Sequence, residues 1–76
     1  MTKPTKFIRT KSGRTIKFRQ TGTTWTSSDY SFSVWRDTVW CSDELTHGFK
    51  IYHIDSIRPE FVRSERAAFD YIVKHF

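Results

Sequence analysis

The stretch KFIRTKSGRTIKFRQTG, residues 6–22, decides how this chain begins to fold and which surface it displays. It contains six Lys or Arg residues and no Asp or Glu. It also carries apolar side chains that a solvated basic arm would not need: Phe7, Ile8, Ile16 and Phe18. Because these residues can tie the segment to a core, we expect a folded β-hairpin with a basic display.

The turn of this hairpin sets which side chains share a face. Ser12-Gly13 is a turn signal between two β-rich runs, because glycine tolerates the positive φ of a tight hairpin. With these two turn residues, Phe7 faces Phe18 and Arg9 faces Ile16 on the side expected to meet the core. The opposite face then carries Lys6, Ile8, Thr10, Thr15, Lys17 and Arg19. A turn of odd length would mix these two sets.

Length and composition predict one small folded domain. The chain has 76 residues, and a domain of this length buries only about 60% of its unfolded surface. Aromatic residues make up 17% of the chain, and each can bury a large area. We therefore expect a flexible leader over residues 1–5 and a single β-rich domain over residues 6–76.

Beyond the hairpin, alternation of apolar and polar side chains predicts more strands. In the run that begins at Tyr30, Phe32 and Val34 lie on one side, and Trp35 lies on the serine-lined other side. Strands are predicted at 23–28, 30–35, 38–41 and 49–54, with a turn or bulge at Arg36-Asp37 and a loop over 42–48.

The C-terminal part changes to helical spacing. An apolar stripe recurs every three or four residues and predicts an amphipathic helix: Ala68, Phe69, Ile72, Val73 and Phe76. Ser64 is a suitable N-cap, followed by Glu65 in the first turn. Pro59 offers an earlier start, so the helix is placed at about 60–76.

The predicted fold is α+β, a small antiparallel sheet or half-open barrel of four to five strands with one C-terminal helix packed on it. This order resembles that of SH3-like and chromodomain-like barrels. The resemblance concerns element order only; no motif of those families is matched, so it implies no site residue.

Several classes of chemistry lack their sequence signature. Cys41 is the single cysteine, which excludes an internal disulfide and a four-thiolate zinc site and fits a reducing cytoplasm. Cys41, Asp43, His47 and His53 are acceptable ligand types, but their spacing matches no zinc motif. Nucleotide-binding glycine patterns are absent from the sequence as well. We expect no enzymatic activity, no metal and no cofactor, and cytoplasmic localisation.

The positive charge is concentrated at one end of the chain. Residues 1–28 contain seven basic and no acidic side chains, whereas residues 29–76 contain six basic and eight acidic ones. A local block of one sign indicates an interaction surface, although a solvated strand pair without a partner would look the same.

Nucleic acid, either DNA or RNA, is the partner that the basic hairpin predicts, since phosphates attract clustered cations through counterion release. Trp35 would add a stacking platform if its side of the sheet is exposed, and would be core if the hairpin curls over it. The predicted binding residues are Lys6, Arg9, Lys11, Arg14, Lys17, Arg19 and Trp35.

An alternative function belongs to a different class. The basic face could dock on an acidic protein surface or a nucleoprotein complex, as small phage or mobile-element inhibitors and adaptors do, anti-CRISPR and host-takeover proteins among them. That hypothesis predicts shape complementarity and aromatic contact residues instead of generic charge. Binding to anionic lipid would lack an acyl or amphipathic anchor, so we expect no membrane partner.

Overall fold

A computed structural model describes residues 4–76 of the chain. Six strands precede one helix along this part of the sequence. Their bounds are β1 (Thr5–Arg9), β2 (Thr15–Thr21), β3 (Thr24–Ser27), β4 (Phe32–Cys41), β5 (Glu44–His53), β6 (Glu60–Val62) and α1 (Glu65–His75).

The six strands form one antiparallel sheet in the order in which they occur along the chain. Helix α1 contacts β1 at one end of the sheet and β5 and β6 at the other, so the sheet curls around it as a half-barrel. The α+β class, the single small domain and the C-terminal helix are confirmed. The strand count is six within residues 4–76, one more than the largest number expected.

The first hairpin has a longer turn than predicted, and this places the side chains of β1 on the faces opposite to those expected, whereas those of β2 lie as expected. The Gly13 N–H donates to the Thr10 carbonyl at 2.9 Å, and Gly13 has φ +86°. This is a three-residue loop with a left-handed glycine, and its odd length shifts the register by one. Ile8 now faces Ile16, and Phe7 faces Lys17. The expected Phe7–Phe18 pair is therefore wrong, and Phe7 lies outside the core.

The β4–β5 hairpin has a shorter connection than predicted. Strand β4 runs without a break through Arg36-Asp37, so the expected interruption there is wrong. Only Ser42 and Asp43 separate β4 from β5, with φ of +50° and +65°. Two consecutive positive φ values make the tight turn that suits the strand twist, so no loop over 42–48 is needed.

The helix begins where its capping signal stands. Ser64 has extended backbone, and its hydroxyl accepts a hydrogen bond from the Ala67 N–H at 3.1 Å. The Ser64 N-cap, the acidic Glu65 in the first turn and the basic last turn are confirmed. The residues expected to extend the helix towards Pro59 instead form the short strand β6.

The core lies between the helix and one face of the sheet, here named the inner face. Phe69 from α1 meets the Phe18 ring edge-on at 5.1 Å and the Trp25 ring at 5.7 Å between centroids. The buried apolar residues are Ile16, Phe18, Trp25, Phe32, Val34, Ile51, Ala68, Phe69 and Ile72. Six of them come from β2 to β5 and three from the helix, so the inner face depends on α1 for its cover.

Candidate nucleic-acid interface

The outer face of the sheet is the surface opposite the helix. In β1 and β2 it carries Phe7, Arg9, Lys17 and Arg19, whose strand neighbours point into the core. Their polar neighbours on β3 and β4 are hydroxyl side chains, because Arg19 pairs with Thr26 and Thr26 pairs with Ser33. Among the residues of strands β1 to β4 themselves, the one acidic side chain is Asp37.

Arg9, Lys17 and Arg19 are cations without a carboxylate partner among residues 4–76, where both ion pairs involve other residues. Phe7 lies beside them with 64% of its surface exposed. The Lys17 Nζ lies 5.9 Å from the centroid of the Phe7 ring. A large exposed aromatic ring therefore sits within a cluster of free positive charge.

A second exposed ring lies at the other border of this cluster. Tyr30 is 79% exposed and has φ +62°, a left-handed conformation that bulky residues seldom adopt. Its N–H donates to the Ser27 carbonyl at 2.9 Å. The expected placement of Tyr30 in a strand, with its side chain beside Phe32, is wrong because the chain turns there before β4 begins.

Asp29 holds this turn in place. Its carboxylate accepts hydrogen bonds from the Ser31 hydroxyl at 2.6 Å, the Ser31 N–H at 3.1 Å and the Ser27 hydroxyl at 2.8 Å. These bonds, led by the Ser31 hydroxyl and helped by the charge of Arg14, lower the pKa of Asp29 to about 2. The carboxylate beside Tyr30 is therefore already occupied by donors.

A shallow cleft of about 410 Å³ opens between Arg19 and Tyr30. Its other lining residues also bear hydroxyls: Thr21, Thr26, Ser27 and Ser28. The Ser27 hydroxyl donates to Asp29 and the Ser28 hydroxyl to the Lys17 carbonyl, which leaves Thr21, Thr26 and Tyr30 as donors for a ligand. Hydroxyl groups and a guanidinium are donors that phosphate and sugar oxygens accept readily. The cleft thus combines a positive charge, several donors and an exposed ring.

The other predicted binding residues of the hairpin lie elsewhere. Lys6 is on the inner face, with its Nζ 4.2 Å from the Phe69 ring centroid, so its expected grouping with Lys17 and Arg19 is wrong. Lys11 and Arg14 belong to the turn. The Lys11 N–H donates to the Val73 carbonyl at 2.9 Å, which ties the turn to the end of α1.

The guanidinium of Arg14 forms an intramolecular ion pair with the Asp29 carboxylate. The structure therefore brings together three of the six predicted cations on one face: Arg9, Lys17 and Arg19. The residues that sequence reasoning missed are the two exposed rings, Phe7 and Tyr30. The signal for Tyr30 was Asp29, a residue type that makes turns by accepting from the N–H two positions on.

Trp35 lies on the outer face, partly buried, on the serine-lined side as the alternation predicts. Its cross-strand neighbour is Lys50, whose Nζ lies 3.0 Å from the Asp37 carboxylate. The Lys50 hydrogen bond lowers the pKa of Asp37, with the Thr38 N–H as a further donor. Trp35 therefore borders the Lys50–Asp37 ion pair on β4, with β3 between it and the strand that carries Lys17 and Arg19.

The end of the β4–β5 hairpin extends beyond the helix and exposes a different apolar pair. Trp40 is 73% exposed and Leu45, directly across from it, is 48% exposed. Arg36 and Arg63 line a cleft of about 400 Å³ at the base of this end, together with His47, Gly48 and Phe49.

Residues 4–76 form neither a metal-binding cluster nor a membrane-spanning helix. Within residues 4–76, no group of three or more His, Cys, Asp or Glu residues is close enough to hold a metal ion. Helix α1, the one helix in this range, lacks the length and apolar character of a membrane-spanning segment. Comparison with protein-family models, curated proteins and solved structures returns no match to this chain.

Proposed function

We propose that this protein is a small, non-enzymatic cytoplasmic protein that associates with nucleic acid through the outer face of its N-terminal hairpin. The observation that carries the proposal is the cluster of Arg9, Lys17 and Arg19, which lack ion-pair partners among residues 4–76 and lie beside exposed aromatic rings. Unpaired cations on one rigid surface attract a polyanion by releasing its counterions.

The arrangement supports a backbone-contacting surface more than a sequence reader. Lys17 and Arg19 are two residues apart on one strand, so their Cα atoms are about 7 Å apart on the same face. The hydroxyls of Thr21 and Thr26, which line the cleft beside Arg19, are additional donors to phosphate. The exposed face of helix α1 carries the mixed charges of Arg66, Asp70 and Lys74, so it is a poor recognition helix for a groove.

The test is a salt titration of binding to labelled DNA and RNA. Three neutralised phosphates predict a slope of log affinity against log salt of about −2.1 for single strands and −2.7 for duplex DNA. Arg19→Ala should weaken binding and make the slope shallower by roughly 0.7 to 0.9.

Arg66→Ala is the matched control, because Arg66 is an exposed residue on the helix and its loss changes the net charge equally. A slope that responds equally to both substitutions would show attraction by net charge alone and contradict the proposed surface. Affinity no tighter than millimolar for every nucleic acid at low salt would overturn the function itself.

A second candidate function is binding to an acidic protein or nucleoprotein, as a phage-type inhibitor or adaptor would do. Trp40 favours it, since an exposed tryptophan paired with Leu45 is a typical protein-contact residue. Arg36 and Arg63 nearby would complement an acidic partner. This function predicts an acidic partner from host lysate whose capture is lost in Trp40→Ala and kept in Arg19→Ala. The opposite pattern would contradict it.

A further inference from the structure

We infer that the outer face binds single-stranded nucleic acid, with a nucleobase stacked on Tyr30 in the cleft beside Arg19. This inference rests on the proposed function and names the form of nucleic acid that the surface takes. It identifies Tyr30 as a binding residue and Phe7 as a second ring for a neighbouring base.

The conformation of Tyr30 is the first reason. A tyrosine at φ +62° is held in a region that favours glycine, asparagine and aspartate, so the turn itself gains nothing from the tyrosine side chain. The ring is 79% exposed and therefore contributes little to the core. Conformational strain of this kind clusters at binding sites, where an exposed ring has a use.

The spacing of rings and cations is the second reason. Phe7 faces Lys17 across β1 and β2, and the Lys17 carbonyl accepts from the Ser28 N–H at 2.9 Å. Phe7 on β1, Lys17 on β2 and Ser28, directly after β3, thus follow one line roughly 10 Å long, and Tyr30 comes two residues after Ser28. Two rings flanking the Lys17 and Arg19 cations form an alternation of stacking and phosphate contacts that suits an extended strand.

A duplex would not use these rings. Its bases are stacked on one another, so their faces are closed to Tyr30 and Phe7, and only its phosphates would reach Lys17 and Arg19. Single-strand binding instead combines cations along the backbone with aromatic side chains under the bases. The hydroxyls that line the cleft beside Arg19 offer donors to a sugar or phosphate next to the stacked base.

The experiment compares fluorescein-labelled 12-nucleotide oligo-dT and oligo-U with a 12-base-pair DNA duplex at one salt concentration. The single strands should bind at least about fivefold tighter than the duplex, because stacking on one ring is worth about 5- to 100-fold in affinity. The oligo-dT and oligo-U arms distinguish a DNA partner from an RNA partner.

Tyr30→Gly is the decisive variant. Glycine accepts the positive φ, so the free energy of unfolding should be kept or increased while single-strand affinity falls about 5- to 100-fold. Duplex affinity should stay unchanged. Tyr30→Phe keeps the ring and should restore the single-strand affinity that Tyr30→Gly loses. Ile57→Ser, at a fully exposed apolar position in the connection between β5 and β6, is the control that should change neither.

The outcomes separate this inference from the proposed function. Equal affinity for single strands and duplex, with Tyr30→Gly without effect, would overturn the stacking site and leave backbone binding by Arg9, Lys17 and Arg19 in place. Binding to none of the three oligonucleotides would overturn both. A loss of single-strand affinity in Tyr30→Gly that Tyr30→Phe does not restore would also contradict stacking.

Discussion

The inner and outer faces of the sheet are built by the same strands and put to opposite uses. The inner face of β2 buries Ile16 and Phe18 under the helix, whereas the outer face of the same strand displays Lys17 and Arg19. Every residue that a strand commits to the core places its two neighbours on the opposite surface. In this half-barrel the inner face forms the core with the helix, and the outer face of the same strands is left available for contacts with a partner.

The largest expected effect comes from a pair of phenylalanines on opposite faces of the first hairpin. Phe18 is completely buried, so Phe18→Ala should lower the free energy of unfolding by about 3–5 kcal/mol. The whole domain is expected to have only roughly 4–11 kcal/mol. Phe7→Ala removes the same side chain from an exposed position and should cost about 0.5 kcal/mol or less.

Urea unfolding followed by tryptophan fluorescence measures both variants. Phe7→Ala should also weaken single-strand binding while the fold is kept, because Phe7 is proposed as a second stacking ring. Similar losses of stability in the two variants would mean that Phe7 is packed in the core, as expected for a two-residue turn at Ser12-Gly13. The assignment of the two faces would then be wrong.

Two glycines offer a smaller and more local test of the outer face. A Cβ on Gly48 would overlap the Val62 carbonyl oxygen and lie 2.5 Å from the Phe61 ring. Gly48→Ala should therefore push β6 and the Phe61 ring away and destabilise the protein by about 1–3 kcal/mol.

Gly13→Ala is the matched substitution, because a Cβ there meets nothing within 4 Å and only the φ of +86° opposes it. It should cost about 1–2 kcal/mol, through backbone strain alone. The two variants are distinguished by hydrogen exchange at β6, which should accelerate in Gly48→Ala and stay unchanged in Gly13→Ala. Unchanged β6 protection in Gly48→Ala would contradict the close packing of Phe61 on Gly48.

The features that depend on the spacing of neighbouring residues were predicted from the sequence. The prediction failed where the length of a turn decides which face a side chain takes. The helix stripe, the Ser64 cap and the alternation of Val34 with Trp35 are short-range patterns, and each is found in the structure. The face of Phe7 depends on whether the first turn holds two or three residues. The alternation of apolar and polar residues does not show which turn length occurs. A shift of one residue moves every side chain of the shifted strand to its opposite face.

The candidate site was predictable only in part for the same reason. The distribution of Lys and Arg along the sequence identified the hairpin as the basic region. It could not show that Arg14 forms an ion pair with Asp29 or that Lys6 lies over the Phe69 ring. Those contacts join residues that are far apart in sequence. Tyr30 was hidden because its apolar ring fits the alternation of the following strand, while its backbone turns away from that strand.

The smallest expected effect concerns the turn that presents Tyr30 on the outer face. Because the folded-state pKa of Asp29 is lowered to about 2, its contacts with Ser31 and Arg14 stabilise the fold fully above the unfolded pKa of about 4. That stabilisation is lost as the pH falls from about 4 to 2. The Asp29 side chain is about half exposed, so solvent screening limits the effect to on the order of 1 kcal/mol.

Asp29→Asn removes the charge and keeps an oxygen that can accept from Ser31. The free energy of unfolding of the wild type should therefore exceed that of Asp29→Asn at pH 6, and the difference should shrink towards zero between pH 4 and 2. The other carboxylates titrate equally in both proteins, so they cancel in this difference. A difference that stays constant down to pH 2 would show that the Asp29 charge does not hold the turn. The left-handed Tyr30 would then depend on the Ser27 hydrogen bonds to the Tyr30 and Phe32 N–H groups instead.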